Sequence, residues 1–445
     1  MSSHSEVQLN HYKECGQSIL DLLEQNPLPQ ENWIPSELYP CIDRLRQSAQ
    51  NLVERADSPV KIGIMGEFSS GKTLLISSLI GYANDRVLPI GEIPTTGNIT
   101  AIHLVQQPDL QTTKFSDFTI EYLSQDAIKN CLAYMLRELE KRARAAEVPP
   151  EQIATLNNWQ TSKTIDVNGI LKWCEQAWNS HRRKELRNIL RELVAFVRSY
   201  SVYQDDLCGR AYVINQDIAK EGLKLPPPRQ DILEISFNEL PVALGRWQNL
   251  AQPTPKDLQN SFSLIRRIEI TVEVAKEIWD LSSLKGINQF ILLDFPGLGA
   301  ADSGVRDTYL SLRELKEVQT ILLLQNCKQP GGNTADQIRT MIEQDKGEKL
   351  GDRIIVGLGR FNQLPLDAKD EQSIKDLIAA SSLQELSEEM VLKSIPILQL
   401  AITSARNLTT EKQNIVLLSQ LYGLAQLTKL SSLVQVLSLI HISEP

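Results

Sequence analysis

The sequence predicts an α/β protein: a mostly parallel sheet with helices on both faces, a helical insertion and flanking helices. Three observations predict it. Short apolar strands recur with helical stretches between them, at 60–66, 98–105, 265–274, 289–294, 320–325, 353–359 and 395–403. Strands alternating with helices indicate a parallel sheet covered on both sides. The first of these strands, VKIGIMG, runs directly into GEFSSGKT and then into the helix-like TLLISSLIG. Between about 125 and 260 the pattern changes to long stretches of helical period, including IKNCLAYMLRELEKRARAAE and ILKWCEQAWNSHRRKELRNILRELVAFVRSY.

Each element has its own justification. Leu38, Ile42, Leu45, Ala49 and Leu52 are spaced in steps of four and three, which places them on one face of a helix. Pro35 and Ser36 precede that run as a start signal. Such a helix either packs on the following domain or forms half of a bundle with a distant segment, and periodicity does not distinguish partners. VKIGIMG is β-branched, apolar and closed by a glycine, the look of a buried parallel strand. The stretch from 125 to 260 is too long for a plain loop and reads as a helical insertion, ended near Pro226, Pro227 and Pro228. Within it, His181, Arg182, Arg183, Lys184, Arg187 and Arg191 form a basic run. That run reads either as a solvated helix face or as a contact for anionic lipid or an acidic partner. The expected organisation is a helical segment at 1–57, a nucleotide-binding domain at 58–436, and a tail at 437–445. The tail, LSLIHISEP, reads as a sequencing-library adapter translated in frame. The natural protein is therefore expected to continue past residue 436, and His441 is set aside as a functional residue.

Composition narrows the classes. A chain of 445 residues has room for two or three domains, and 42% hydrophobic and 23% charged residues are ordinary for a globular protein. A net charge of -9 argues against a general nucleic-acid binder. The six cysteines are scattered with no CxxC pair, so neither a zinc site nor a disulfide framework is indicated, and a reducing cytoplasm is the simplest compartment. The polar MSSHSEVQLN has no signal-peptide core, and no apolar run approaches a membrane span.

The chemistry begins at Gly66. GEFSSGKT satisfies G-x-x-x-x-G-K-[ST] in full: Gly66, Glu67, Phe68, Ser69, Ser70, Gly71, Lys72, Thr73. Gly66 and Gly71 let the backbone curl so that several N–H groups face one anion. Lys72 can reach the β- and γ-phosphates, and Thr73 can place its hydroxyl on Mg²⁺. The helix that follows adds the positive end of its dipole. Strand, glycine-rich loop and helix together are the context that turns the pattern into a structural claim. A second element is LLDFPGLG. Its strand ends in Asp294, placed to hold Mg²⁺ through water, and Gly297 completes a D-x-x-G pattern whose backbone N–H can meet a γ-phosphate. A third is IPTTGNIT, where a threonine before a strand can complete the Mg²⁺ shell; spacing favours Thr96, with Thr95 the alternative.

Together GEFSSGKT, PTTGNIT and DFPGLG resemble the dynamin superfamily, closest to bacterial dynamin-like proteins and their mitofusin relatives. LPIGEIPTTGNIT is similar to that family's first switch, and IEITVEVAKEIWDLSSLKGINQFILLDFPGL to the strands leading into its second. The resemblance covers the GTPase parts of 58–436; the helical insertion matches no named module. It implies a phosphate-loop GTPase fold, GTP and Mg²⁺ as ligands, and hydrolysis carried by Lys72, Thr96, Ser69 and Gly297. Ser69 matches the position that helps bind a charge-compensating monovalent cation. The resemblance also implies self-association of GTPase domains face to face, slow basal turnover that rises with assembly, and membrane remodelling or fusion. Lipid contact would come through parts beyond this chain, so the expected location is cytoplasmic and peripheral at a membrane.

Two departures matter. In dynamin a glutamine that helps orient the attacking water lies where Phe68 stands; phenylalanine has no hydrogen-bonding group. Bacterial relatives often carry phenylalanine there, so the change marks a branch and moves catalysis toward the switches and a second subunit. The base-reading motif N/T-K-x-D is replaced after RIIVGLG by Arg360 at the lysine position and Asn362 at the aspartate position. An aspartate accepts from both guanine donors, whereas Asn362 accepts at best from one, a loss of roughly 1–3 kcal/mol of discrimination. In ITSARN, Ser404 and Ala405 resemble the S-A-K motif whose backbone meets guanine O6. A nucleotide-dependent scaffold with little turnover, and a phosphate-loop ATPase of another family, remain the alternatives.

Overall fold

A computed structural model of the chain describes residues 2–26, 38–57, 59–66, 72, 75–76, 80, 98–107, 110, 113–181, 184–223, 246–247, 249–250, 252–275, 289–296, 304–327, 350–359, 399–409 and 415–418. The strands are β1 (Val60–Gly66), β2 (Ile99–Gln107), β3 (Lys114–Phe115), β4 (Phe118–Tyr122), β5 (Ala211–Ile214), β6 (Ile265–Ala275), β7 (Gln289–Asp294), β8 (Thr320–Asn326), β9 (Ile354–Gly359) and β10 (Ile415–Leu418). They form one sheet in the order β10-β9-β8-β1-β7-β2-β6-β4-β5, with β3 beside β6. From β10 to β7 every pairing is parallel, and β1 sits between β7 and β8. Beyond β7 the sheet changes character. β2 runs antiparallel to β7 and parallel to β6, and β3, β4 and β5 add antiparallel pairings.

The α/β architecture is the expected one, and its central strands follow from their residues. Ile64, Leu292, Leu293, Leu323 and Leu324 are at most 2% exposed. Apolar runs of this kind suit a parallel strand covered on both faces. The wing strands follow another rule. β4 alternates buried and half-buried positions, with Phe118, Ile120 and Tyr122 turned to the core.

The helices are α1 (Ser2–Gln25), α2 (Leu38–Asp57), α3 (Gln125–Ala145), α4 (Pro150–Thr161), α5 (Val167–His181), α6 (Lys184–Tyr203), α7 (Gln216–Gly222), α8 (Pro255–Ser261), α9 (Val305–Glu314) and α10 (Gln399–Arg406). α2 coincides with the predicted amphipathic run and packs against α1. In α3, Ile128, Leu132, Met135, Leu136, Leu139 and Ala143 recur at helical spacing and are buried. Ser124 caps the helix by accepting a hydrogen bond from the Ala127 amide at 3.2 Å. α3 packs on α4, α6 and α9, and α6 packs on α5 and α9. The helical stretch is thereby seated on the helix that follows β7. It also returns a strand, β5, to the edge of the sheet.

One predicted strand is corrected. Residues 399–403 of the expected strand 395–403 belong to α10, and 395–398 lie outside the described residues. Ala401, Ala405 and Leu408 are at most 1% exposed whereas Leu400 is 74% exposed. That four-and-three spacing is a helix period, which a short apolar run does not reveal by composition. All six cysteines are free thiols.

Candidate nucleotide site

The site is built where β1 and β7 end side by side. Their parallel register pairs Ile64 with Asp294, and the Phe295 amide donates to the Ile64 carbonyl at 3.1 Å. Asp294 therefore stands next to the last turn of chain before Gly66. The ring of Phe295, fully buried, lies against β1 at Gly63: a Cβ there would meet Phe295 Cε2 at 2.9 Å. Glycine in VKIGIMG is thus what lets the Phe295 ring, just past the end of β7, pack directly on β1.

β2 brings the third element to the same place. Its antiparallel register sets Thr100 opposite Asp294, so the chain arriving from Ile93–Gly97 enters the sheet beside the carboxylate. Lys72, 7% exposed, is helical, and its Nζ donates to the Gly66 carbonyl at 3.1 Å. The ammonium is thus held at the carboxyl end of β1 by the carbonyl of Gly66.

Electrostatics single out Asp294. The residue is 3% exposed, and its Oδ1 accepts no hydrogen bond among the described residues. Burial pushes its carboxyl up to about 6, against the pull of Lys72. A buried carboxylate oxygen without a donor is costly for a fold. It suits a hydrated cation, whose water would donate to it, so the donor chemistry fits Mg²⁺ held through water.

Other predicted residues are placed as follows. Ser404 lies on α10 and accepts from Gln325 Nε2 at 2.8 Å, and Ala405 is fully buried. Gln325 is near the carboxyl end of β8, so the contact keeps Ser404 at the edge of the sheet where Gly66 and Asp294 stand. The motif is expected to follow a strand; it lies instead within a helix, whose amides are directed at carbonyls one turn back. Glu67, Phe68, Ser69, Ser70, Gly71, Thr73, Thr95, Thr96, Gly297, Arg360 and Asn362 lie outside the described residues. β9 ends at Gly359 in register with Asn326, so the chain leaves for Arg360 from that same carboxyl edge.

Several contributors escape a reading of the sequence. Gly63 has a partner only once β7 is known to lie beside β1. Gln325 closes an apolar strand, a faint signal that it faces something polar. Arg306 and Asn98 meet across a long stretch of chain with no motif to announce them.

The family model described as the dynamin family matches residues 62–356, more than half of the chain. The chain belongs to the dynamin family. The match begins in β1 and ends in β9, so it contains the phosphate loop, both switch-like segments and the helical stretch between them. Membership brings a GTP-binding domain of the dynamin type. Arg360, Asn362, Ser404 and Ala405 fall beyond the matched span. No curated protein matches this dynamin-family chain in sequence. Among solved structures it resembles chains of an oligomerised bacterial dynamin pair, described as providing a mechanism for the long-range sensing and tethering of membranes. One is 13% identical, with 97% of this chain and 48% of that chain covered and a TM-score of 0.36. Another is 11% identical, with 96% and 48% covered and a TM-score of 0.34. This chain spans about half the length of those chains. Among the described residues, no helix is long and apolar enough to cross a membrane.

Proposed function

We propose that this dynamin-family chain binds GTP with Mg²⁺ at Gly66–Thr73 and hydrolyses it, slowly alone and faster when GTPase domains associate. The observation that carries the reading is the buried oxygen of Asp294, without a donor among the described residues and close to Lys72, where three strands converge. Lys72 neutralises charge on the β- and γ-phosphates, and the amides of the loop bind their oxygens. Asp294 would hold Mg²⁺ through water, and Thr73 and Thr96 would offer their hydroxyls to it. When bound, the ion supplies charge neutralisation across the phosphates. The amide of Gly297 would meet the γ-phosphate, and Ser69 would contribute to a monovalent-cation site.

Phe68 has no group with which to orient water, which supports a requirement for a second subunit. The domain at 58–436, with its insertion at about 125–260 and the helical segment 1–57, then acts within a longer protein in membrane remodelling or fusion. That protein is peripheral at the membrane from the cytoplasmic side, touches lipid through parts outside this chain, and belongs with the bacterial, mitofusin-related branch. No role in nucleic-acid binding is assigned.

Phosphate release from GTP, measured against protein concentration and with Lys72→Ala as control, tests the reading. The specific rate should rise with concentration and on liposomes. Lys72→Ala should lose about 10²-fold or more. A specific rate independent of concentration and lipid would overturn the assembly step. Asn362 favours one second reading, use of ATP, because it lacks one of the two acceptors that guanine needs. Side-by-side GTP and ATP titrations separate the two.

A further inference from the structure

α9 begins at Val305, a few residues after DFPGLG, and the amides of its first turn have no partners within the helix. They are satisfied from far away in the chain. Glu192 of α6 accepts from the Val305 amide at 2.8 Å through Oε2 and from the Arg306 amide at 2.8 Å through Oε1. The N-cap residue, Gly304, provides no side-chain cap. A Cβ on it would meet Glu192 Oε1 at 2.1 Å. Its backbone (φ -74°) is open to any residue, so the glycine serves the approach of the carboxylate.

The side chain of Arg306 continues the connection in the other direction. It is 2% exposed, and Nη2 donates to Asn98 Oδ1 at 2.5 Å, to the Phe262 carbonyl at 3.4 Å and to the Ile265 carbonyl. Nη1 donates to Asp307 Oδ1 at 2.6 Å, and the guanidinium lies over the ring of Phe262. Asn98, itself 2% exposed, is the residue through which the segment carrying Thr96 enters β2. One arginine therefore holds the exit of the first switch-like segment, while its own helix starts at the exit of the second. The start of that helix is held in turn by α6, in the middle of the helical stretch.

We infer that Glu192 and Arg306 are positioning residues that couple the nucleotide state of the site to α6. The inference rests on the nucleotide-binding reading above. A fixed cap would hold α9 alike in every state. A coupling pair joins the start of β2 at Asn98 and the start of α9 at Val305 to α6, so a displacement at either point reaches α6 through charge-assisted hydrogen bonds to buried groups. Among the described residues Glu192 contacts none of Gly66, Lys72 and Asp294, so its loss should leave nucleotide affinity in place.

Hydrogen exchange read by mass spectrometry on the full chain tests this, with Mg²⁺ and a non-hydrolysable GTP analogue. In the wild-type chain the analogue should protect peptides covering 60–76 and also change exchange in 184–203. Glu192→Gln, and independently Gly304→Ala, should keep the protection at 60–76 and the analogue affinity, yet lose the nucleotide-dependent change at 184–203. Two results would overturn the inference: protection at 60–76 with no response at 184–203 in the wild type, or an unchanged response in both variants. Failure of the wild-type chain to bind the analogue at all would instead overturn the nucleotide reading, and the coupling with it.

Discussion

Two buried carboxylates sit on opposite halves of the sheet, and their surroundings differ in a telling way. Glu314, at the end of α9 and fully buried, faces the wing. Its Oε1 accepts from Arg266 Nε and Nη2 at 3.1 Å, and its Oε2 from Arg267 Nη1 at 3.2 Å. Glu121, Glu269, Glu317 and Lys61 extend that network. Asp294, on the parallel half, is 3% exposed, has an oxygen with no donor among the described residues, and its carboxyl is pushed up to about 6 by burial. The desolvation cost is similar in kind. In one case two guanidinium groups offset it, and in the other it is left standing for a ligand. Both oxygens of Glu314 find donors within the chain, whereas Asp294 Oδ1 has none among the described residues, which is why the site is assigned to the parallel half.

The comparison can be broken by experiment. The largest effect on folding should come from Glu314→Ala, which leaves Arg266 and Arg267 without their shared acceptor. A loss of about 3 kcal/mol in urea denaturation is expected, with nucleotide affinity unaffected. A parallel collapse of affinity would show that the two halves are not separable. Gly63→Ala acts at the boundary, because the new Cβ displaces the Phe295 ring from 2.9 Å. It should cost about 1–2 kcal/mol and weaken nucleotide binding as well, since DFPGLG would leave β7 at an altered angle.

The smallest effect concerns pH. Burial, reinforced by Asp307, raises Glu192 from the ordinary 4.5 to about 7, while Arg306 and the two capped amides oppose the shift. Besides Asp307 and Arg306, the groups packed near this cluster include Cys131 of α3. A carboxyl raised by folding binds its proton more tightly in the native state. The stability it contributes is full below about 4.5 and is lost as pH rises through about 7. Melting temperature should therefore fall by a few degrees across that window in the wild type, and Glu192→Gln should flatten the slope. An unchanged slope in the variant would place the titration elsewhere.

Much of this arrangement was legible in the residues. VKIGIMG, QFILLD, TILLLQ and RIIVGLG read as strands because a strand buried on both faces is a continuous apolar run. GEFSSGKT and DFPGLG could be placed at strand ends because their glycines and charges have few other uses there. β3, β4 and β5 were not legible. They are short, and β5 is set between helices, so no period has room to develop. α10 read as a strand because apolar content without length does not distinguish the two periods. The partners that complete the site, Gly63 with Phe295 and Arg306 with Asn98, are tertiary facts: neither residue type carries the identity of its distant neighbour.

The most direct test of the central claim is calorimetric titration of Mg²⁺ and GTP into the wild-type chain and Asp294→Asn, with melting measured on the same samples. Loss of an acceptor for the metal's water should weaken Mg²⁺-dependent GTP binding about 10–100-fold. The nucleotide-free melting temperature should hold or rise, because a desolvated acid has been replaced by a neutral amide. Undiminished Mg²⁺-dependent binding in Asp294→Asn, or a melting temperature that falls as in Glu314→Ala, would contradict the account and return Asp294 to the structural charges of the fold.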